Sequence, residues 1–150
     1  MSAKETMKEV LSNNNLMHIA TIDENGLPSV RGVDYAASEM DNVLYFITHK
    51  DSRKAKHFLN NKNVALVIDH DCPSIEELLK LKYIKGTGYV NIVEDPQEVQ
   101  KAMGLLMQKF PFLKDLPGDP SDFVAVKVEL KDIMVTDNTI SFGNTETVSY

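Results

Sequence analysis

Short runs of strand-forming residues, divided again and again by turn residues, constrain this chain more than any other feature. Leu16–Ile22 and residues 28–37 flank Asp23-Glu-Asn-Gly26, and Asn-Gly accepts the positive φ that a tight hairpin needs. Leu16, His18, Ala20 and Ile22 share one apolar face of the first run, which makes His18 a candidate core or interface residue. After a second turn within 38–42, residues 43–48 supply the third strand of a meander, rich in β-branched and aromatic side chains. Residues 64–68 are apolar without a break, so both faces of that strand are expected to be covered. A long strand follows over 82–94, with Gly86 and Gly88 marking a bulge. Residues 123–130 alternate, with Val124, Val126, Val128 and Leu130 inward, and 139–142 predict a last short strand.

Helices punctuate this pattern. Ser2-Ala-Lys-Glu5 has the spacing of a capping box and opens a helix to about Leu11, stopped by Asn13-Asn14-Asn15. Asp51 is the expected N-cap of a second helix, with Ala55, Phe58 and Leu59 on its apolar face. Residues 73–80 carry a short helix. Asp95-Pro-Gln-Glu98 starts another, which presents Val99, Met103, Leu106 and Met107 and ends near Phe110 before a loop over 111–120. The sum is one α+β domain, mainly β, spanning 1–150. It has six or seven mostly antiparallel strands in a barrel or sandwich, with two or three helices inserted.

Composition narrows the function classes. A formal net charge of −6 argues against non-specific nucleic-acid binding, which draws its affinity from Lys and Arg. No apolar run reaches the length of a membrane span, and charges interrupt the N-terminal segment where a signal peptide needs an unbroken apolar stretch. With a single cysteine, Cys72, a cytoplasmic location is expected.

The chemistry concentrates in residues 45–57. A strand ends at Thr48, a short loop follows, and a helix begins at Ser52 with Arg53 and Lys54 in its first turn. Cations at a helix N-terminus oppose the helix dipole, so the arrangement makes sense around an anion. Free backbone amides, the Ser52 hydroxyl and two cationic side chains together suit a phosphate.

Phe46-Ile-Thr-His-Lys-Asp-Ser-Arg-Lys54 resembles the FMN-phosphate segment of the pyridoxamine 5'-phosphate oxidase-like split-barrel flavoproteins. Residues 16–33 resemble that family's opening hairpin, and the likeness extends over about 1–135. The resemblance implies an antiparallel split β-barrel and FMN as cofactor. It makes Phe46, Ile47, Thr48, Ser52, Arg53 and Lys54 the phosphate-side and ribityl-side segment, and lays Arg31, Gly32 and Val33 along the isoalloxazine. It further implies a homodimer with FMN at the interface, and an oxidoreductase able to meet NAD(P)H or a small substrate. Ile47 stands where some members carry Tyr. The chain has no Trp, and its last residues, Asn-Thr-Glu-Thr-Val-Ser-Tyr150, lack the basic substrate segment of the true oxidase. An FMN-dependent oxidoreductase of other substrate is therefore expected, against a flavin carrier or redox sensor, or a split barrel holding haem (on His18 or His70) or a deazaflavin.

Other signals carry less. Successive residues of Asp69-His70-Asp71-Cys72 point to opposite faces in extended chain, so no metal site is expected there. His49 adjoins the phosphate loop and reads as a solvated loop histidine. Gly86-Thr-Gly88 is not followed by the Lys-Ser/Thr of a phosphate loop.

Overall fold

A computed structural model describes residues 1–150. Helix α1 (Ala3–Asn13) begins with the expected capping box, the Ser2 hydroxyl accepting from the Glu5 amide while the Glu5 carboxylate accepts from the Ser2 amide. Strands β1 (Leu16–Ile22) and β2 (Pro28–Asp34) form the expected hairpin, and Gly26 supplies a φ of 78° in its turn. The side chains of β1 face the other way from the sequence expectation. Met17, Ile19 and Thr21 enter the core, whereas Leu16 and His18 are exposed. A half-apolar strand leaves two phases open, and the packing of α1 and the opposite barrel wall selects this one.

The chain breaks its strand at Tyr35, so β2 and the two-residue β3 (Ala36–Ala37) are separate elements. Strand β4 (Val43–His49) pairs with β3, but its other neighbour is not β2. The remaining elements are α2 (Arg53–Asn60), β5 (Asn63–Ile68), α3 (Ile75–Leu78), β6 (Lys82–Ile92), α4 (Pro96–Lys109), β7 (Phe123–Asp137) and β8 (Thr145–Ser149). All pairings are antiparallel, in the order β2-β1-β5-β6-β7-β4-β3 with β8 beside β7. The expected split barrel is thus formed, but not the three-strand meander expected at its start: the two ends of the sheet, β2 and β3, are consecutive in sequence and joined through Tyr35. That residue is fully buried, and its hydroxyl donates to the Leu11 carbonyl at 2.8 Å. The fold is a mainly β split barrel.

Several local expectations shift. Strand β5 buries only Val64, Leu66 and Ile68, because one of its faces points outward. Helix α2 is capped by Ser52 rather than Asp51, and it buries Ala55, His57 and Phe58 while Leu59 stays exposed. Asp95 makes no side-chain cap. Glu98 instead accepts from the Tyr45 hydroxyl at 2.9 Å and pairs with Lys127. Residues 111–115 and 120–122 are 3-10 turns, and the last strand lies at 145–149 instead of 139–142, where Asp137 and Asn138 side chains bind turn amides. The bulge in β6 falls between Gly86 and Gly88 as expected. No helix is long and apolar enough to cross a membrane.

Candidate functional site

Strand β4 ends where α2 begins, and two hydroxyls fasten the junction. Thr48 donates to Ser52 Oγ at 2.9 Å, and the Ala55 amide donates to the same oxygen at 3.2 Å. With both approaches taken by donors, the Ser52 hydroxyl still has its own proton to give. The amides of Arg53 and Lys54 precede the first helical bond, Lys56 to the Ser52 carbonyl, and point out of the helix start without a partner in the chain.

Arg31, on the inner face of β2, reaches the same place. Burial lowers the basicity of its guanidinium, and Arg53 lowers it further. The Lys54 ammonium is likewise held down, by burial first and then by Arg31. The molecule has eight ion pairs, and none includes Arg31, Arg53 or Lys54. Three cations gathered at one place, none of them in an ion pair, form a cradle for an anion, with the Asp23 carboxylate acting on Arg53 only through space.

A cleft of about 320 Å³ opens beside the cradle, within the size range of small-molecule sites. Gly32, Val33, Ile47, Thr48 and Lys54, all expected from the sequence, line it together. They meet because β2 and β4 flank the seam of the barrel. As an end strand, β2 also offers one unpaired backbone edge to the cleft. Phe46 is different: its ring is fully buried, 6.0 Å from Phe58 in an edge-on contact, so its side chain serves the core. The far wall, which sequence reasoning missed, comes from Leu106 of α4 and Phe110 at its C-cap, from Phe112, Leu113 and Leu116, and from Phe123. Only the Met-rich pattern of α4 pointed toward apolar packing there. His49 lines the cleft too, its ring 5.8 Å from Phe123 and its Nδ1 accepting from the Asp51 amide at 3.1 Å. A second cleft of about 310 Å³ shares Ile47, Leu113, Leu116 and Phe123 and continues past Met103 and Met107, with Lys114 as its only charged residue. The roomiest cleft, about 490 Å³ between α1 and the 70–82 region, is lined almost wholly by polar residues. Its lysines already have partners, Lys82 with Glu9 and Lys80 with Glu76, so it lacks the unpaired charge of the seam.

Cations outside any ion pair thus lie next to an apolar slot, and the family comparison agrees with the fold that carries them. The family model described as pyridoxamine 5'-phosphate oxidase matches residues 3–136, which spans α1 through nearly all of β7. The chain belongs to the pyridoxamine 5'-phosphate oxidase family.

Within that family it is 35% identical over 63 residues to the pyridoxine/pyridoxamine 5'-phosphate oxidase of Vibrio parahaemolyticus. That match takes in 42% of this chain and 29% of the other, so the chain spans less than a third of its curated relative. Solved structures resemble it over nearly the whole fold. A haem-binding protein of Mycobacterium smegmatis superposes with a TM-score of 0.82 at 15% identity, covering 99% of this chain and 58% of the other. The haem storage protein of Vibrio cholerae gives 0.74 at 18%, covering 90% and 95%. An FAD-binding protein of Mesorhizobium loti gives 0.69 at 20%, covering 89% and 92%. At such identities these members of the fold establish its shape, and this one framework carries unlike cofactors.

Proposed function

We propose that this chain binds FMN, with the phosphate among Ser52, Arg53, Lys54 and Arg31 and the ring in the cleft beside Gly32, Val33 and Ile47, which moves Arg31 from the ring side that the resemblance implied to the phosphate side, where it meets Arg53 and Lys54. The observation that carries the reading is that Arg31, Arg53 and Lys54 gather at one place, where Arg31 and Lys54 are both depressed, and none of the three forms an ion pair. Charge-assisted hydrogen bonds contribute roughly 1.5–3 kcal/mol each. Three of them supply much of the ~8 kcal/mol behind micromolar binding. The apolar walls of the cleft contribute the rest by taking the ring out of water.

The protein then acts as an FMN-dependent oxidoreductase. Bound FMN supplies hydride or electron transfer at its ring. The chain's own residues hold the phosphate, lay the ring along the β2 edge and shield it from solvent. A substrate approaches from the second cleft, past Met103 and Met107. That cleft has one cation, Lys114, and no second phosphate cradle, which argues for an apolar substrate rather than pyridoxamine phosphate. His18 and His70 do not line the cleft, which weakens a haem reading through either.

A visible absorption spectrum of the purified protein tests this directly, followed by heat release and chromatography of the ligand. Flavin bands yielding FMN are expected. A Soret band, or a colourless protein that ignores added FMN, overturns the assignment. In the double variant Arg53→Ala/Lys54→Ala, FMN affinity should fall about a hundredfold, the scale of two lost charge-assisted bonds, while riboflavin affinity holds. Equal losses for both ligands would remove the phosphate role.

A further inference from the structure

Arg31 is tethered from behind. Its Nη1 donates to Thr21 Oγ1 at 2.7 Å and to the Ile19 carbonyl at 3.4 Å, and its Nη2 donates to the Ser29 hydroxyl at 3.0 Å. Thr21 Oγ1 in turn lies 2.7 Å from Nδ1 of His57 on α2. The relay is sealed, with Thr21 0% and His57 3% exposed. Arginine only donates, so Thr21 Oγ1 accepts from Arg31 and has one proton left. His57 Nδ1 is the other partner of that oxygen, so the Thr21 hydroxyl is held from both sides, by Arg31 and by the His57 ring.

The tether has work to do. Arg53 and Lys54 repel the Arg31 guanidinium, and a flexible side chain under that repulsion would swing toward water. His57 lies one helical turn beyond Arg53 and Lys54, so the helix that supplies two cations also fixes the third, which comes from another element. We infer that His57 is a positioning residue for the anion cradle, acting through the Thr21 hydroxyl to keep Arg31 aimed at the phosphate. The inference rests on the phosphate reading of the cradle proposed above.

A merely structural role for His57, joining α2 to β1, would make different variants fail. Dissociation constants for FMN and riboflavin, with urea midpoints, are to be measured on the whole protein and on Thr21→Val, His57→Phe and His57→Asn. Thr21→Val preserves shape and is the variant best able to fold. Thr21→Val and His57→Phe should each weaken FMN about tenfold, which is about 1.4 kcal/mol, and leave riboflavin unchanged. The double variant should lose no more, because both break one chain. His57→Asn places an amide where Nδ1 stood and should restore the preference for FMN, although the smaller side chain lowers stability. A structural role orders the variants by stability instead, with Asn worse than Phe. Folded Thr21→Val with an undiminished preference for FMN, or losses shared equally by riboflavin, overturns the relay. A native protein that does not distinguish FMN from riboflavin overturns the phosphate reading itself, and the relay with it.

Discussion

Lys109 illustrates how a single residue responds to opposing surroundings. Its Nζ donates to the Asn14 carbonyl at 2.7 Å and sits 4.0 Å from the Tyr35 ring centroid, two contacts that favour the ammonium. Burial opposes them and wins, bringing its pKa down to about 8 against some support from Asp34. Below pH 8 the group is charged in the folded and unfolded chain alike, and its burial counts against folding. Between about 8 and the ordinary lysine value near 10.4, the unfolded chain holds a proton that the folded one has lost, so stability rises with pH. The urea midpoint of the native protein minus that of Lys109→Met should therefore climb across this window. A flat difference would mean that the ammonium is well solvated. At this scale the sequence reveals local chemistry and hides what distant contacts decide. Ser52, Arg53 and Lys54 were legible because cap and charge lie on adjacent residues. His57 was not, because the partner that gives it meaning, Thr21, is 36 positions away. Phe46 was read as part of the cofactor segment, and only the packing of Phe58 against it assigns its ring to the core.

At the scale of elements, two glycines in regular structure predict opposite outcomes. A Cβ on Gly86 would come within 2.1 Å of the Asp132 carbonyl oxygen, backbone against backbone at the bulge that lets β6 bend along β7. Gly86→Ala should lower stability by about 1–3 kcal/mol, the usual range for overpacking. Gly104 lies within α4 with nothing within 4 Å of the added atom. Gly104→Ala should therefore gain about 0.5–1 kcal/mol from helix propensity alone. Urea denaturation of both variants checks the pair, and a neutral Gly86→Ala would show that the strands can separate there at little cost. The bulge and the first hairpin were readable because Gly and Asn-Gly are strong local punctuation. Strand phase was less readable. Strands β1 and β5 carry apolar residues on both faces, and the choice between faces is made by whatever packs on them. The 139–142 segment has strand composition, yet the Asp137 side chain binds the Thr139 amide at its start and Asn138 binds the Gly143 amide just past its end, which keeps it a turn.

At the scale of the molecule, closing the barrel brings β2 and β4 to one seam, and no local pattern announces that meeting. The hairpins suggested a meander in which β4 follows β2 directly, whereas β4 lies next to β7. Closure also leaves the outer face of the β1–β2 hairpin bare. Leu16 is 45%, Leu27 60% and Val30 67% exposed, beside a cleft rimmed by exposed Phe112 and Leu116. An exposed apolar patch flanking an open ring slot is poorly suited to water and well suited to a second copy of the chain. We propose that the FMN-bound form is a homodimer in which this face closes the slot. Val30→Asp adds a charge at the centre of the patch, on a side chain that contributes nothing to the monomer's core. The variant should fold with an unchanged urea midpoint at low protein concentration, run as a monomer by light scattering, and hold FMN at least tenfold more weakly. Riboflavin should weaken in proportion, because the partner would shield the ring while Arg53 and Lys54 hold the phosphate within one chain. A Val30→Asp monomer that binds FMN as tightly as the native protein would show that each chain completes its own site, and the exposed hairpin face would then need another partner.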